Sequence, residues 1–141
     1  MKIIGFNFNK INVEKLKEPV EGMKINTNIS IPELKEIKQT ILKTKDDTIG
    51  VKFVYTIDYS PEIAKIEFSG SILINIESKL TKEILKQWED KKMPDDFKIV
   101  LFNLILRKSN VKALQFEDEL NLPLHINLPS LKKQEISENK K

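Results

Sequence analysis

The sequence contains no cysteine and a single histidine, His125. The lack of cysteine excludes disulfides, thiolate metal sites and a cysteine nucleophile. One histidine argues against a histidine-rich metal site or a histidine-based catalytic triad within one chain. Four glycines leave no phosphate-cradling loop, and GxGxxG, Walker and GxSxG patterns are absent. The sequence therefore predicts a protein that is not an enzyme and that needs no metal or cofactor.

Long apolar runs are also missing. None approaches the ~20 residues of a membrane-spanning helix, and the start "MKIIGFNFNK" has no apolar run of signal-peptide length. We expect a cytoplasmic protein with no integral membrane association. Its 141 residues are enough for one ordinary domain, which we assign to residues 1–131.

Arginine is scarce, since Arg107 is the single arginine among 24 cationic residues. The formal net charge is +3, but the last ten residues hold four lysines and two glutamates, so the other 131 carry 20 positive and 19 negative groups. Because arginine is best suited to bidentate phosphate and base contacts, nucleic-acid binding is not expected. We predict that the polar tail, residues 132–141, is disordered.

Four segments alternate between apolar and polar residues, the pattern of half-buried strands. They are residues 3–13, with a phase shift that predicts a bend near Asn9; 23–31, whose regular part ends at Pro32; 51–59; and, after a tight turn at "SPEIA", 64–76. Short connections predict an antiparallel sheet that is covered on one face. Residues 33–43 fit both a helical stripe and a weaker strand, and we favour an extended, irregular continuation.

Two helices are predicted after the strands. The first is short, with Thr81 as N-cap, Leu80 and Leu85 as a hydrophobic staple, and an end near Lys92. The second is long and begins with Pro94 and two aspartates, which suit a helix start. Within residues 97–106 eight of ten are apolar, more than a helix lying on a sheet requires. Burial under the chain's own loops would explain this, but we favour a subunit interface.

The stretch "ELNLPLHINLP", residues 119–129, places leucine or isoleucine at every even position and Pro123 and Pro129 at odd ones. This alternation is typical of a strand, yet the prolines interrupt pairing along one edge. It indicates an edge or crossover segment whose even-numbered face either lies on the chain's own core or is offered to a client. His125, at an odd position, is expected to point outward. The paired acids Asp46/Asp47, Glu89/Asp90 and Asp95/Asp96 are interpreted as capping or solvated groups.

The order of four antiparallel strands, a short helix, a proline-started long helix and a leucine-rich extended segment resembles the SecB family of export chaperones. "TKEILKQWEDKKMPDDFKIVLFNLILRKSN" matches the helix pair of that family in pattern, and "LNLPLHINLP" matches its crossover loop in position and composition. The resemblance implies an α+β fold with a short and a long helix on one face of the sheet. The family's zinc-binding tail, its second long C-terminal helix and its acidity have no counterpart here, which argues against contact with SecA.

As function, the resemblance implies an ATP-independent holdase for protein export, a homodimer or homotetramer whose apolar grooves bind unfolded polypeptides. Client contact is assigned to Phe6, Phe8, Trp88, Leu120, Leu122, Leu124, Ile126 and Leu128. The subunit interface is assigned to Phe97, Leu101, Phe102, Asn103, Ile105 and Arg107. The alternative is a dedicated assembly or adaptor protein for one peptide or antitoxin-like partner. An enzyme that uses carboxylates alone is the least favoured hypothesis.

Overall fold

The computed structural model describes residues 1–38 and 46–133. Disorder was predicted for residues 132–141, of which 134–141 lie outside the described residues. Residues 39–43 of the ambiguous segment 33–43 also lie outside them. The elements are β1 (Lys2–Lys15), β2 (Lys24–Ile37), β3 (Asp47–Ser60), β4 (Ala64–Ile76), α1 (Ser78–Trp88) and α2 (Asp95–Glu119).

The four strands form one antiparallel sheet in the order β1-β4-β3-β2. On β3 the odd residues from Val51 to Tyr59 are buried, and on β4 the even residues from Ala64 to Ile76 face the same side. Their neighbours on the opposite side are exposed or half-buried, as the alternation predicts. The predicted α+β fold, with two helices and a sheet covered on one face, is confirmed.

Both edge strands contain an irregularity. In β1 the register shifts between Phe8 and Lys10, which confirms the predicted bend near Asn9. In β2 the register shifts between Ser30 and Glu33, which confirms the prediction that the regular part of this strand ends at Pro32 and that the chain stays extended beyond it. Proline cannot donate a ladder hydrogen bond, but a bulge on an edge strand removes that requirement, so β2 continues to Ile37.

Replacing Gly70 by alanine is expected to lower the free energy of unfolding by about 1–3 kcal/mol. A Cβ atom at this position would overlap the carbonyl oxygen of Asn7 and lie 2.8 Å from Cζ of Phe53, so β1 or that ring would have to move. Gly5→Ala is the matched control, because its Cβ would meet Leu73 at an ordinary 3.8 Å. Urea denaturation checks the pair, and equal midpoints would contradict the close approach.

Helix α1 begins four residues earlier than predicted, at Ser78, with Glu77 at the N-cap position. Thr81 is therefore not the N-cap: it lies inside the first turn, and its hydroxyl donates to the carbonyl oxygen of Glu77 at 3.0 Å. Leu80, expected before the helix as half of a staple with Leu85, is also helical. The helix ends at Trp88 instead of near Lys92, and the chain turns through Lys91, which has φ 59°.

Helix α2 begins after Pro94 with Asp95 and Asp96 in its first turn, as predicted, and extends to Glu119. Its buried residues occur at every fourth position: Phe97, Leu101, Ile105, Ser109, Ala113 and Glu117. Because an α-helix has 3.6 residues per turn, such a stripe winds slowly around the helix. The N-terminal half consequently packs large apolar side chains, the middle uses small ones, and the last buried position is a carboxylate.

Candidate functional site

The end of α2 reverses the chain. Asn121 adopts φ 55°, and the backbone N–H of Leu122 donates to the carbonyl oxygen of Glu117 at 2.8 Å while that of Asn121 approaches Asp118 O at 3.4 Å. This is the pattern of a Schellman motif. The ammonium group of Lys15 donates to the carbonyl oxygen of Leu120 at 2.9 Å. The motif buries Leu122 and directs the following residues back across the sheet.

A buried carboxylate holds the returning chain. The side chain of Glu117 is fully buried and accepts hydrogen bonds from the hydroxyl of Tyr59, from Nδ1 of His125 at 2.7 Å and from the backbone N–H of His125 at 3.0 Å. The Tyr59 hydroxyl also lies 3.1 Å from the carbonyl oxygen of Pro123. A buried carboxylate is tolerated only when such donors replace its hydration.

The second half of this network surrounds the other side of the imidazole. Nε2 of His125 lies 3.0 Å from Oδ1 of Asn110 and 3.2 Å from the hydroxyl of Tyr55, and the Tyr55 hydroxyl donates to Asn110 Oδ1 at 2.7 Å. Tyr55, Tyr59, Asn110, Glu117 and His125 form what we call the polar cluster. It joins β3, α2 and the segment that follows α2.

His125 was expected to point outward, and that prediction is wrong. Its side chain is 3% exposed, because the Schellman motif breaks the period of two and Glu117 draws the imidazole inward. Burial, reinforced by the nearby Glu117 carboxylate, raises the pKa of Tyr55 and the pKa of Tyr59 well above the ordinary value. Both hydroxyls are protonated donors at neutral pH, as the network requires, and the raised pKa extends that state into the alkaline range.

Turning His125 inward leaves apolar side chains outside. Leu124 is 36% exposed, Ile126 37%, Leu128 53% and Leu131 69%; these four residues are the apolar strip. Leu120 is half-buried and Leu122 is buried, so these two predicted client contacts pack against the core instead. Residues 120–131 belong to no strand. The predicted even-numbered face is thus divided between core and surface.

Two concave surfaces flank α2. The first, the Trp88 cleft, has a volume of about 510 Å³, and its apolar lining consists of Ile31, Trp88, Met93 and Phe102. The second, the Phe8 groove, has a volume of about 320 Å³ and is lined by Phe8 of β1 and by Val111 and its neighbours on α2. The predicted client residues Phe8 and Trp88 are half-buried and lie at these two surfaces.

Phe6 lies beside the groove in an aromatic cluster. Its ring stacks on Phe53 with centroids 5.2 Å apart and meets Phe8 edge-on at 5.1 Å. Phe8 in turn contacts Phe68 at 5.5 Å. Phe6 and Phe8 therefore contribute to the core with one side and border solvent with the other.

The six predicted interface residues divide into two groups. Phe97, Leu101 and Ile105 are buried, so these side chains are covered by their own chain. Phe102 is half-buried, and Asn103 and Arg107 are exposed. Exposed Ile99 and Val111 lie on the same helix, and self-association through α2 stays a prediction.

Sequence reasoning missed Tyr55, Tyr59, Asn110 and Glu117 as members of one site. A signal for Glu117 did exist, because it continues the four-residue spacing of Phe97, Leu101 and Ile105. A carboxylate in phase with a buried stripe indicates a buried partner. Nothing local in the sequence identified that partner.

The chemistry of the described residues was also searched more widely. Residues 1–38 and 46–133 contain no group of three or more histidine, cysteine, aspartate or glutamate side chains that could hold a metal ion. In the same part of the chain, every helix is too short or too polar to span a membrane.

No protein-family model and no curated protein matches this chain. Among solved structures, it is similar to the Mycobacterium tuberculosis Rv1957 SecB-like chaperone in complex with a ChAD peptide from the Rv1956 HigA1 antitoxin. The sequence identity is 14%, the alignment covers 94% of this chain and 91% of that chain, and the TM-score is 0.54. At this identity the likeness concerns the fold. The chain has a SecB-like α+β fold.

Proposed function

We propose that this protein is an ATP-independent chaperone that binds extended, non-native polypeptide segments and performs no catalysis. The observation that carries the proposal is the apolar strip: four large apolar side chains at 36–69% exposure on a segment that pairs with no strand. Large exposed apolar surfaces mark sites of interaction, and these four side chains lie within eight residues of the chain. The SecB-like fold supports the same conclusion.

The polar cluster explains how such a strip is maintained. Left alone, these leucines would turn inward, because burying each large apolar side chain contributes roughly 1.5–3 kcal/mol. His125, bonded to Glu117 by its backbone N–H and its ring, fixes the opposite orientation between Leu124 and Ile126. The strip is thereby preorganised, which reduces the ordering cost when a client binds.

A dedicated adaptor for one peptide is the second candidate. It is favoured by the similar mycobacterial structure, which contains a peptide from an antitoxin. The Trp88 cleft would then hold one sequence by a shaped fit, whereas a general holdase uses apolar contact with little sequence demand. A pull-down from cells separates the two: many substoichiometric clients support the holdase, and one stoichiometric partner supports the adaptor.

The proposal extends to the setting that the resemblance to SecB implies. That setting is a cytoplasmic role in protein export and assembly into dimers or tetramers. Exposed Ile99, Asn103 and Arg107 on α2 support the assembly, since a second helix of the same kind would cover them.

The triple variant Leu124→Asp, Ile126→Asp, Leu128→Asp is expected to lose most of its capacity to delay aggregation of a denatured client. Three carboxylates on the strip remove apolar contact, and we expect client affinity to fall roughly tenfold or more. Light scattering of chemically denatured citrate synthase, diluted into a stoichiometric excess of each variant, measures the effect.

The matched control is Leu16→Asp with Val20→Asp. These residues are 65% and 51% exposed on the connection between β1 and β2, outside the strip. This double variant should delay aggregation of the denatured client as well as the parent does. Parental activity of the triple variant, or equal loss in the control, would contradict the assignment of client binding to the strip.

A further inference from the structure

The middle of α2 carries charge of one sign. Between Asp96 and Glu117 the helix contains no acidic residue, and its charged side chains are Lys98, Arg107, Lys108 and Lys112. The chain outside its last ten residues is nearly neutral, with 20 positive and 19 negative groups. The excess along α2 is therefore a local feature of the helix that lies between the two concave surfaces.

The Trp88 cleft combines aromatic rings with Lys98 of α2 and with two lysines that precede this helix. Lys91, Lys92 and Lys98 line it, against the single carboxylate of Asp95. The ammonium nitrogen of Lys91 lies 4.5 Å from the centroid of the Trp88 ring, and that of Lys98 lies 5.5 Å from the centroid of the Phe102 ring. The cations consequently lie directly over apolar surface that a client would cover.

The Phe8 groove repeats this arrangement on the other side of α2. Arg107, Lys108 and Lys112 line it together with Phe8 and Val111, and no acidic residue takes part. The ammonium nitrogen of Lys108 lies 6.0 Å from the centroid of the Phe6 ring. Both surfaces thus place cations beside half-buried aromatic rings.

These cations have no carboxylate partner within residues 1–38 and 46–133. Lys10, Lys15, Lys35 and Lys52 do form ion pairs with carboxylates, and none of these four lines the cleft or the groove. Cation–π attraction at an exposed site is weak. An ammonium group that lies over an aromatic ring and has no carboxylate partner can therefore pair with a carboxylate of a ligand.

We propose that the cleft and the groove take extended polypeptide segments in which acidic side chains alternate with large apolar ones. The inference rests on the proposed function and specifies the chemistry of the client. Leucine or aromatic side chains of the segment fill the apolar lining, and its carboxylates pair with the flanking lysines. Charge of opposite sign also accelerates encounter and rejects basic segments.

A single-stranded nucleic acid is the competing polyanion, because stacking on aromatic rings and basic charge is its usual mode of binding. The structure favours the peptide. Ile31, Met93 and Val111 give the two surfaces aliphatic walls, which suit leucine side chains and offer bases no hydrogen bonds. Arg107 is the single guanidinium of the chain.

The test uses three fluorescein-labelled peptides that share the same leucine and phenylalanine positions and differ in the residues between them: glutamate, serine or lysine. Affinities are measured by anisotropy with the full chain at low and high salt. Exposed ion pairs are individually weak, so several together should favour the glutamate peptide over the serine peptide by about tenfold. The preference should shrink at high salt, where exposed charges are screened.

Charge variants locate the effect. The test variant is Lys98→Gln, Lys108→Gln, Lys112→Gln, and the control is Lys2→Gln, Lys24→Gln, Lys65→Gln, which removes the same charge from exposed positions on the other face of the sheet. The test variant should lose most of the preference for the glutamate peptide, since Lys91, Lys92 and Arg107 are its only remaining lining cations. The control should retain the preference for glutamate.

Each other outcome counts against a specific statement. Equal binding of all three peptides by the parent would overturn the inference and leave the proposed function intact. If no peptide binds and denatured citrate synthase still aggregates, the proposed function itself fails. If an oligothymidylate displaces the glutamate peptide at equal concentration, the surfaces are nucleic-acid sites and the inference is overturned.

Discussion

Replacing Glu117 by alanine is expected to lower the free energy of unfolding by about 3–5 kcal/mol, because it leaves buried hydrogen-bond donors without their acceptor. The change leaves the Tyr59 hydroxyl, Nδ1 of His125 and the His125 backbone N–H without the acceptor that all three share. Each buried donor without a partner costs about 1–3 kcal/mol. Urea denaturation, analysed for a change in midpoint at constant slope, measures the loss.

The same variant should release the segment that carries the apolar strip. The backbone N–H of His125 should lose its protection from hydrogen exchange, while the strands keep theirs. Asp118→Ala is the matched control, because this neighbouring carboxylate is exposed and its removal should change stability by no more than about 0.5 kcal/mol. If the two variants have equal stability, the polar cluster does not hold the segment.

Glu117→Ala should also weaken client binding by the apolar strip, although it removes none of the strip's own side chains. In the Glu117→Ala variant, Leu124, Ile126 and Leu128 are all present, yet the chain around them is free to turn inward or to move. Aggregation assays at a temperature where the variant remains folded would separate preorganisation from composition. Full holdase activity in a folded variant would mean that exposure of the leucines alone is sufficient.

The sheet and the start of α2 could be predicted because their determinants are local. Alternation along residues 51–59 and 64–76 identifies the buried face of β3 and β4 without knowledge of the fold. The dipeptide after Pro94 places two carboxylates where helix N-termini favour them. Such patterns can be interpreted without knowing which other elements of the fold cover these residues.

The errors occurred where a distant contact outweighs the local pattern. Thr81 is a good N-cap by type, but Glu77 already occupies the cap position. His125 faces inward because Glu117, eight residues earlier, and Tyr55 on β3 are its partners. The alternation of apolar and polar residues cannot predict these contacts.

The apolar residues of α2 exceed what one face of the helix needs, since Ile99 and Val100 are exposed, while the subunit interface stays a prediction. The four-residue spacing takes Phe97, Leu101 and Ile105 into the chain's own core. What remains outside is Ile99, at 58% exposure, with exposed Asn103 nearby in sequence. A helical stripe of period four cannot be distinguished from two adjacent faces until the sheet beneath it is known.

Raising the pH above about 10 is expected to destabilise the protein through Tyr55 and Tyr59. In the unfolded chain a tyrosine loses its proton near pH 10, whereas burial, with Glu117 beside both hydroxyls, raises the pKa of each in the folded state. Above that pH the folded state therefore binds more protons than the unfolded state, and the free energy of unfolding falls with pH. The contribution is fully present below pH 10. Its loss has a limiting slope of about 1.4 kcal/mol per pH unit for each tyrosine.

The chain makes this prediction measurable, because these two are its only tyrosines. Tyrosinate absorbance should appear together with the loss of circular dichroism, since ionisation requires unfolding. Urea midpoints between pH 8 and 11 should fall steeply for the parent and less steeply for the Tyr55→Phe, Tyr59→Phe variant, whose remaining slope reports the exposed lysines. Tyrosinate absorbance rising near pH 10 in a protein that keeps its circular dichroism would show that the hydroxyls are open to solvent. In that event the polar cluster could not fix His125, and the apolar strip would lack the anchor that keeps its leucines outside.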